Sequence, residues 1–127
     1  MKYMLLVYSD EQAWSEDERE HCYMESAQLA RQLSESGEYL AAAPLHSVTT
    51  ATSVRMRDGK RLVTDGPFAE TREQLGGYYL IEAADLDAAI EIAARIPGAR
   101  LGTIEIRPVL GISGLPEDRE LRSRAVV

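Results

Sequence analysis

Apolar residues occur along the chain in short blocks, and their spacing distinguishes strands from helices. The block from residue 3 to residue 8 is hydrophobic at both sets of alternating positions, Tyr3/Leu5/Val7 and Met4/Leu6/Tyr8. A strand with this pattern is buried on both faces of its sheet. Because one layer of helices covers only one face, the other face needs a second cover, and a partner subunit is the economical source.

Two longer segments have the three- and four-residue spacing of amphipathic helices. Ser15 and Glu18 form a capping box that starts the first helix, and Gly37 ends it. Asp85 caps the second helix, and Pro97-Gly98 stops it. The buried stripe predicted for the first helix comprises Cys22, Tyr23, Ser26, Ala27, Leu29, Ala30 and Leu33. The buried stripe predicted for the second comprises Leu86, Ala89, Ile90, Ala93 and Ile96.

Four further extended segments complete the order of elements. A strand is predicted over 38–45, and Asp58-Gly59 between two strand-like runs predicts a hairpin over 52–64. The last two strands are predicted over 76–82 and 102–107. The order strand, helix, strand, hairpin, strand, helix, strand predicts an α+β protein with a ferredoxin-like βαββαβ fold and an inserted hairpin. The two-sided strands predict that this fold pairs into a dimeric α+β barrel, that is, a homodimer.

Length and composition are those of one ordinary globular domain. The chain has 127 residues, of which 45% are hydrophobic and 28% are charged. The predicted domain covers residues 1–110. Residues 111–127 are predicted to form a C-terminal tail that contributes little to the core, with one short helix over 116–124.

Charge and cysteine content narrow the expected partners and cofactors. The net charge of −7 argues against direct nucleic-acid binding, which needs a basic face. Cys22 is the single cysteine, so no internal disulfide and no paired-cysteine zinc site is expected. We expect no metal and no cofactor. The apolar block at the amino end is too short for a signal peptide or a membrane span, so we expect no membrane association and a cytoplasmic location.

One long motif resembles a known family. Residues 65–82 read DGPFAETREQLGGYYLIE, which is similar to the signature of YCII-related proteins of the DGPF subgroup. Residues 1–8, 54–59 and 105–108 match the same family. The resemblance implies a dimeric α+β barrel and no settled reaction. It also implies a possible association with an extracytoplasmic-function sigma factor, beside whose genes family members often lie.

The first helix departs from the enzyme-like members of the wider YCII family. Those members carry a histidine there that is interpreted as catalytic. An ungapped match, counted back from Gly37, places that position at Ser26, and His21 lies more than one helical turn earlier. The resemblance therefore does not supply a catalytic histidine to this chain.

Asp65 and His46 are the candidate catalytic residues, and neither belongs to a recognisable triad or metal cluster. Asp65 follows a predicted strand and precedes Gly66-Pro67. It can act as a general base or ligand anchor, or its carboxylate can accept backbone N–H groups of the turn, and the turn interpretation is favoured. His46 leaves the second strand in a loop, where a histidine is more often solvated than catalytic.

The last strand supplies a candidate binding surface. If Ile104 and Ile106 face the helices, then Thr103, Glu105 and Arg107 face the barrel interior. A polar patch in a largely apolar barrel is typical of a ligand pocket, and the alternatives are a salt bridge across the sheet or a partly open sheet edge. The residues predicted to border a pocket or bind its ligand are Asp65, Tyr78, Tyr79, Glu105 and Arg107.

Two functional interpretations follow. In the first, the protein binds or transforms a small molecule in a pocket of the dimer barrel. In the second, it is a non-catalytic regulatory or interaction protein associated with a sigma factor. A cavity lined by the candidate residues favours the first, whereas a solid barrel core with a conspicuous apolar surface patch favours the second.

Overall fold

A computed structural model describes residues 1–116 of the chain. Within that range the strands and helices are β1 (Lys2–Ser9), α1 (Glu16–Glu35), β2 (Tyr39–Pro44), β3 (Thr52–Arg57), β4 (Lys60–Asp65), β5 (Gln74–Glu82), α2 (Leu86–Arg95) and β6 (Thr103–Pro108). Short 3₁₀ turns lie at Glu11–Ala13, Val48–Thr50 and Pro97–Arg100. The predicted order of elements is confirmed, and β5 begins two residues earlier than expected.

Four strands form one antiparallel sheet in the order β2-β5-β1-β6. Each helix crosses from one strand to another that lies two positions away, so β5 sits between β1 and β2, and β1 sits between β5 and β6. This is the split βαβ arrangement of a ferredoxin-like fold, which confirms the predicted α+β class. Both helices pack on the same face of the sheet, as the buried residues of each helix show.

The capping signals of α1 work as the sequence predicts. The Ser15 hydroxyl accepts the Glu18 N–H at 3.1 Å, and the Glu18 carboxylate accepts the Ser15 N–H at 3.0 Å. These hydrogen bonds hold the pKa of Glu18 below its usual value. At the other end, Gly37 adopts φ +79°, and the Glu38 N–H reaches back to the Leu33 carbonyl at 2.8 Å.

The core lies between the sheet and the two helices. It is built from Tyr3, Leu5, Leu29, Leu33, Tyr79, Ile81, Ala83, Ala89, Ile92, Ala93 and Ile96. The predicted stripes need correction at four positions, because Tyr23, Ala27, Leu86 and Ile90 are exposed. Ile92, which the spacing argument missed, is buried instead. The error in α2 is one of helical phase: the helix turns Ala89, Ile92 and Ala93 toward the sheet.

The predicted hairpin forms a separate two-stranded sheet from β3 and β4. Its turn residues Asp58 and Gly59 have φ values of 50° and 74°, which is the conformation expected for an Asp-Gly hairpin turn. Its base is tied to the preceding loop, where the Gly66 N–H donates to the Ala51 carbonyl at 2.7 Å.

The segment after β6 has no regular secondary structure as far as it is described. Val109 still donates its N–H to the Lys2 carbonyl at 2.9 Å, and residues 110–116 are exposed. The short helix predicted over 116–124 lies, apart from its first residue, outside the described residues. In the described part of the chain no helix is long and apolar enough to cross a membrane.

Tyr79 links the sheet to α1 from within the core. Its hydroxyl donates to the Ser26 carbonyl at 2.9 Å, and only 5% of the residue is exposed. Burial raises the pKa of this phenol above its ordinary value, because a phenolate there would lose its hydration.

We expect Tyr79→Phe to lower the free energy of unfolding by about 1 kcal/mol at neutral pH, the usual worth of one buried hydrogen bond. The raised pKa means that the phenol contributes its stability below the unfolded-state pKa and loses it as the pH rises through the folded-state value. The deficit of Tyr79→Phe should therefore shrink above about pH 10. Denaturant unfolding at several pH values measures this. Tyr78→Phe, on the opposite face, is the matched control, and an equal effect of both substitutions would contradict the account.

Candidate functional site

Within residues 1–116, neither α1 nor α2 covers the second face of the four-stranded sheet, and we call this face the open face. Its centre is apolar and half-exposed, and its β6 edge is polar and exposed. By strand register, it presents Met4, Leu6, Tyr8, Ala41, Ala43, Tyr78, Leu80, Thr103, Glu105 and Arg107.

Strand pairing aligns these residues in rows across the sheet. Leu6 lies opposite Tyr78 on one side and opposite Glu105 on the other. Met4 lies in the next row, between Leu80 and Arg107. Because neighbouring strands are ~4.8 Å apart, Tyr78 and Glu105 flank Leu6 with ~10 Å between their backbones. The rows therefore place an apolar floor between a tyrosine and a charged pair.

Thr103, Glu105 and Arg107 all lie on this face, as the alternation of β6 predicts. Ile104 and Ile106 pack against the core on the other side. The Arg107 guanidinium donates to the Glu105 carboxylate at 3.2 Å, and their side chains are 68% and 44% exposed. The pair lies within one strand rather than across the sheet. An ion pair this exposed contributes ~0–1 kcal/mol to stability.

The two candidate tyrosines point to opposite sides of the sheet. Tyr78 lies on the open face, whereas Tyr79 is buried against α1. Tyr79 therefore does not reach a ligand on the open face, and its inclusion among the binding residues needs correction. Because side chains alternate along an extended strand, two adjacent residues point to opposite faces of the sheet.

Gly76 and Gly77 serve strand pairing. The pairing of β5 with β1 shifts by one residue between Val7 and Tyr8, which leaves Gly76 as the extra residue of a bulge. At Gly77 a side chain would begin 3.0 Å from the Ala43 carbonyl oxygen of β2. The backbone of the neighbouring strand β2 thus occupies the space that a side chain at Gly77 would need.

Asp65 and His46 lie in the segment between β2 and β5. Both are exposed. Among residues 1–116 the Asp65 carboxylate accepts no hydrogen bond, so the favoured interpretation, in which it bonds to its own turn, is not what the structure shows. Instead the Ser53 hydroxyl donates to the Gly66 carbonyl at 2.8 Å. Arg107 lies at the Met4 end of β1, whereas the loop that follows Asp65 enters the sheet beside Ser9, at the other end.

A hydrogen-bonded network at the Ser9 end of the sheet escaped the sequence analysis. The Glu11 carboxylate accepts the Ser47 hydroxyl and the Val48 N–H, both at 2.9 Å. The Glu11 N–H donates to the Gln74 side chain at 3.1 Å, and the Gln74 amide donates to the Thr71 carbonyl at 2.7 Å. Three loops are thereby tied together. No local signal could have revealed this, because the partners are far apart in sequence.

We expect Glu11→Ala to lower the free energy of unfolding by about 1–2 kcal/mol, because two donors lose a charged acceptor. Gln12→Ala, an exposed neighbour in the same turn, should change it little. Denaturant unfolding of both variants tests this, and faster hydrogen exchange at the Val48 N–H in Glu11→Ala would locate the effect. An unchanged exchange rate there would contradict the role given to Glu11.

Ser26, the position matched to the histidine of enzyme-like members, is half-buried on α1. The Ser26 carbonyl accepts the hydrogen bond from the Tyr79 hydroxyl, so Ser26 lies on the helix-covered side of the sheet. One turn earlier, burial raises the pKa of the Cys22 thiol, which disfavours the thiolate. In the described part of the chain, His, Cys, Asp and Glu side chains do not gather in threes as metal ligands do.

Fold and sheet face together define a ferredoxin-like α+β protein with one uncovered, partly polar sheet surface. The model of the YCII-related domain family matches residues 1–113. An uncharacterized protein of Rhizobium meliloti (strain 1021) is 40% identical over 114 residues, which cover 86% of this chain and 92% of that relative. The chain belongs to the YCII-related domain family.

Proposed function

We propose that the protein is a homodimer in which the open faces of the two subunits come together. We further propose that a small anionic molecule binds between these faces. Its site is the row formed by Tyr78, Leu6 and Glu105, together with the adjoining Arg107. The observation that carries the proposal is an uncovered sheet face with an apolar centre and a charged edge. The dimeric α+β barrel is part of this proposal.

The apolar centre supports the need for a cover. Met4, Leu6, Tyr8, Tyr78 and Leu80 form one contiguous patch on the central strands β1 and β5. Contiguous apolar patches on a monomer surface usually mark an interaction site. A face-to-face pairing buries both patches at once, because the same surface occurs on each copy of a symmetric dimer.

The charged edge supports ligand binding. The Arg107 guanidinium has five N–H donors, and in the described part of the chain its contact with Glu105 uses one nitrogen. A guanidinium can grip a carboxylate or phosphate with two parallel hydrogen bonds. Tyr78 supplies an apolar wall with one polar tip on the far side of Leu6. Covering such a site lowers the local dielectric and strengthens each of these contacts.

The remaining candidates keep a smaller part in the proposal. Asp65 and His46 belong to it as residues of the β2–β5 segment that can border the ligand once the dimer forms. They are the candidate catalytic groups of the proposal, so a reaction of the bound molecule would be looked for at these two residues. The DGPF subgroup, the cytoplasmic location and a sigma-factor association stay predictions from the sequence.

We expect the protein to sediment as a dimer at micromolar concentration. Leu6→Glu should weaken the dimer by at least about 100-fold, because it places a carboxylate at the centre of an apolar interface. Met24→Glu, at a residue of α1 that is 68% exposed, is the matched control and should leave the dimer intact. Analytical ultracentrifugation of the three proteins measures this. A stable monomer of the unaltered chain would end the dimer proposal.

The ligand proposal is tested by a thermal-shift screen against small carboxylates and phosphate esters. We expect a compound that raises the melting temperature of the unaltered protein to lose most of its effect in Arg107→Gln and Tyr78→Phe, while both variants keep their own stability. If Asp65 borders the ligand, the thermal shift caused by the same compound should also be lost in Asp65→Asn.

A structural role would have a different signature. If Arg107 served only its ion pair with Glu105, then Arg107→Gln would leave the binding of any hit unchanged, and it would change the melting temperature little because the exposed pair contributes ~0–1 kcal/mol. That result, or a screen without hits at millimolar concentrations of both compound classes, would refute the binding site.

A further inference from the structure

The hairpin formed by Thr52–Asp65 is the most exposed element of the described chain, and we call it the arm. Every side chain of β4 is exposed, and so is every side chain of β3 except Ser53. The two strands pair with each other and with no strand of the main sheet. With six residues in each strand, the arm extends ~20 Å. An isolated two-stranded hairpin is marginally stable in water, so a second surface against the arm would stabilise it.

The two faces of the arm differ in chemistry. Val54 and Val63 lie directly opposite each other, and Met56 lies beside them on the same face. These three side chains are 61%, 58% and 59% exposed, respectively. They form the apolar face, which also holds Arg61, the cross-strand partner of Met56, and the Thr52–Asp65 pair at the base of the arm. The opposite, basic face carries Arg55, Arg57 and Lys60, together with Leu62.

These properties distinguish the side of the arm that needs a cover from the side that does not. A basic face is stable in water, and lysine and arginine on exposed strands discourage pairing with other chains. An apolar face gains from burial. The arm therefore has one face suited to packing against another surface and one suited to solvent.

We propose that the apolar face of the arm packs against the body of a second copy of this chain, as an extension of the dimer interface proposed above. The inference rests on that proposed self-association. In a symmetric dimer, each arm covers part of the other subunit. The same contact occurs twice, so the apolar faces of both arms are buried.

Charge complementarity favours a second copy as the occupant. The arm holds four Lys or Arg and two Asp, a net charge of +2, in a chain whose total is −7, so the remainder carries −9. Two such bodies repel each other, and the arm is the part of the chain that an acidic body attracts. Arg61 places one cation within the apolar face itself, where it can meet a carboxylate of the partner.

The small size of the apolar face favours the same conclusion. Stable interfaces bury about 800 Å² on each partner and involve 20–30 residues a side. Three exposed apolar side chains cannot hold an independent partner at that level. They can add to a larger contact, and the open face provides one.

The test uses the full chain in analytical ultracentrifugation, with substitutions that keep strand propensity. The triple variant Val54→Thr, Met56→Thr, Val63→Thr should raise the dimer dissociation constant about tenfold or more, since tenfold is the loss of ~1.4 kcal/mol. Leu62→Thr, on the basic face, is the matched control and should stay within about twofold. Far-UV circular dichroism confirms that both variants fold.

The role of the arm's positive charge is tested by substituting two neighbouring residues that lie on opposite faces of the arm. Arg61→Gln should weaken the dimer and reduce the loss of affinity that salt causes, whereas Lys60→Gln should do neither to the same extent. Equal effects of the two substitutions would mean that only overall charge matters, and would overturn the placement of the apolar face against the partner.

Leu6→Glu in the same assay separates this inference from the proposed function. If Leu6→Glu dissociates the dimer and the triple variant leaves the dimer dissociation constant unchanged, only the proposed role of the arm is overturned. The partner of the arm would then be a different protein or a membrane. If the triple variant dissociates the dimer and Leu6→Glu does not, only the pairing of the open faces is overturned. A chain that is monomeric at every concentration would overturn both.

Discussion

The structure depends on a strand that is apolar on both faces in a fold whose helices cover only one. Tyr3 and Leu5 of β1 are buried against α1 and α2, and this contact organises the core. Met4 and Leu6, which alternate with them, lie on the other face, which neither α1 nor α2 covers. Each functional inference drawn from the molecule begins with that uncovered side.

The uncovered side combines features that are usually separate. Its centre, on β1 and β5, is apolar and suited to association, and its edge, on β6, carries Glu105 and Arg107. This exposed charged pair adds little to the stability of the single chain. The same edge in a covered, low-dielectric cleft binds an anionic group well. The arm fits the same account, because it exposes an apolar face in a chain whose net charge is −7.

Local rules predicted most of the fold, since each element carries its own signal. The capping box at Ser15, the Asp58-Gly59 turn and the strand over residues 3–8 all depend on signals within a few residues, and all three are confirmed. The errors arise where long-range packing decides. The phase of α2, which exposes Ile90 and buries Ile92, is set by how the helix lies on the sheet. In the candidate site, alternation places Glu105 and Arg107 on one face of the sheet and separates Tyr78 from Tyr79, whereas ligand binding by these residues stays a prediction. The Glu11 network joins loops across the chain, and only the folded structure brings its partners together.

The central claim, that the open face is covered by a second copy, is tested most directly by oxidative footprinting at increasing protein concentration. Hydroxyl radicals label Met and Tyr side chains in proportion to their exposure. We predict that labelling of Met4, Tyr8 and Tyr78 falls as the dimer forms, while labelling of Met24, on the solvent side of α1, stays constant. Labelling of Met4 and Tyr78 that does not change between nanomolar and high micromolar concentration would contradict the account.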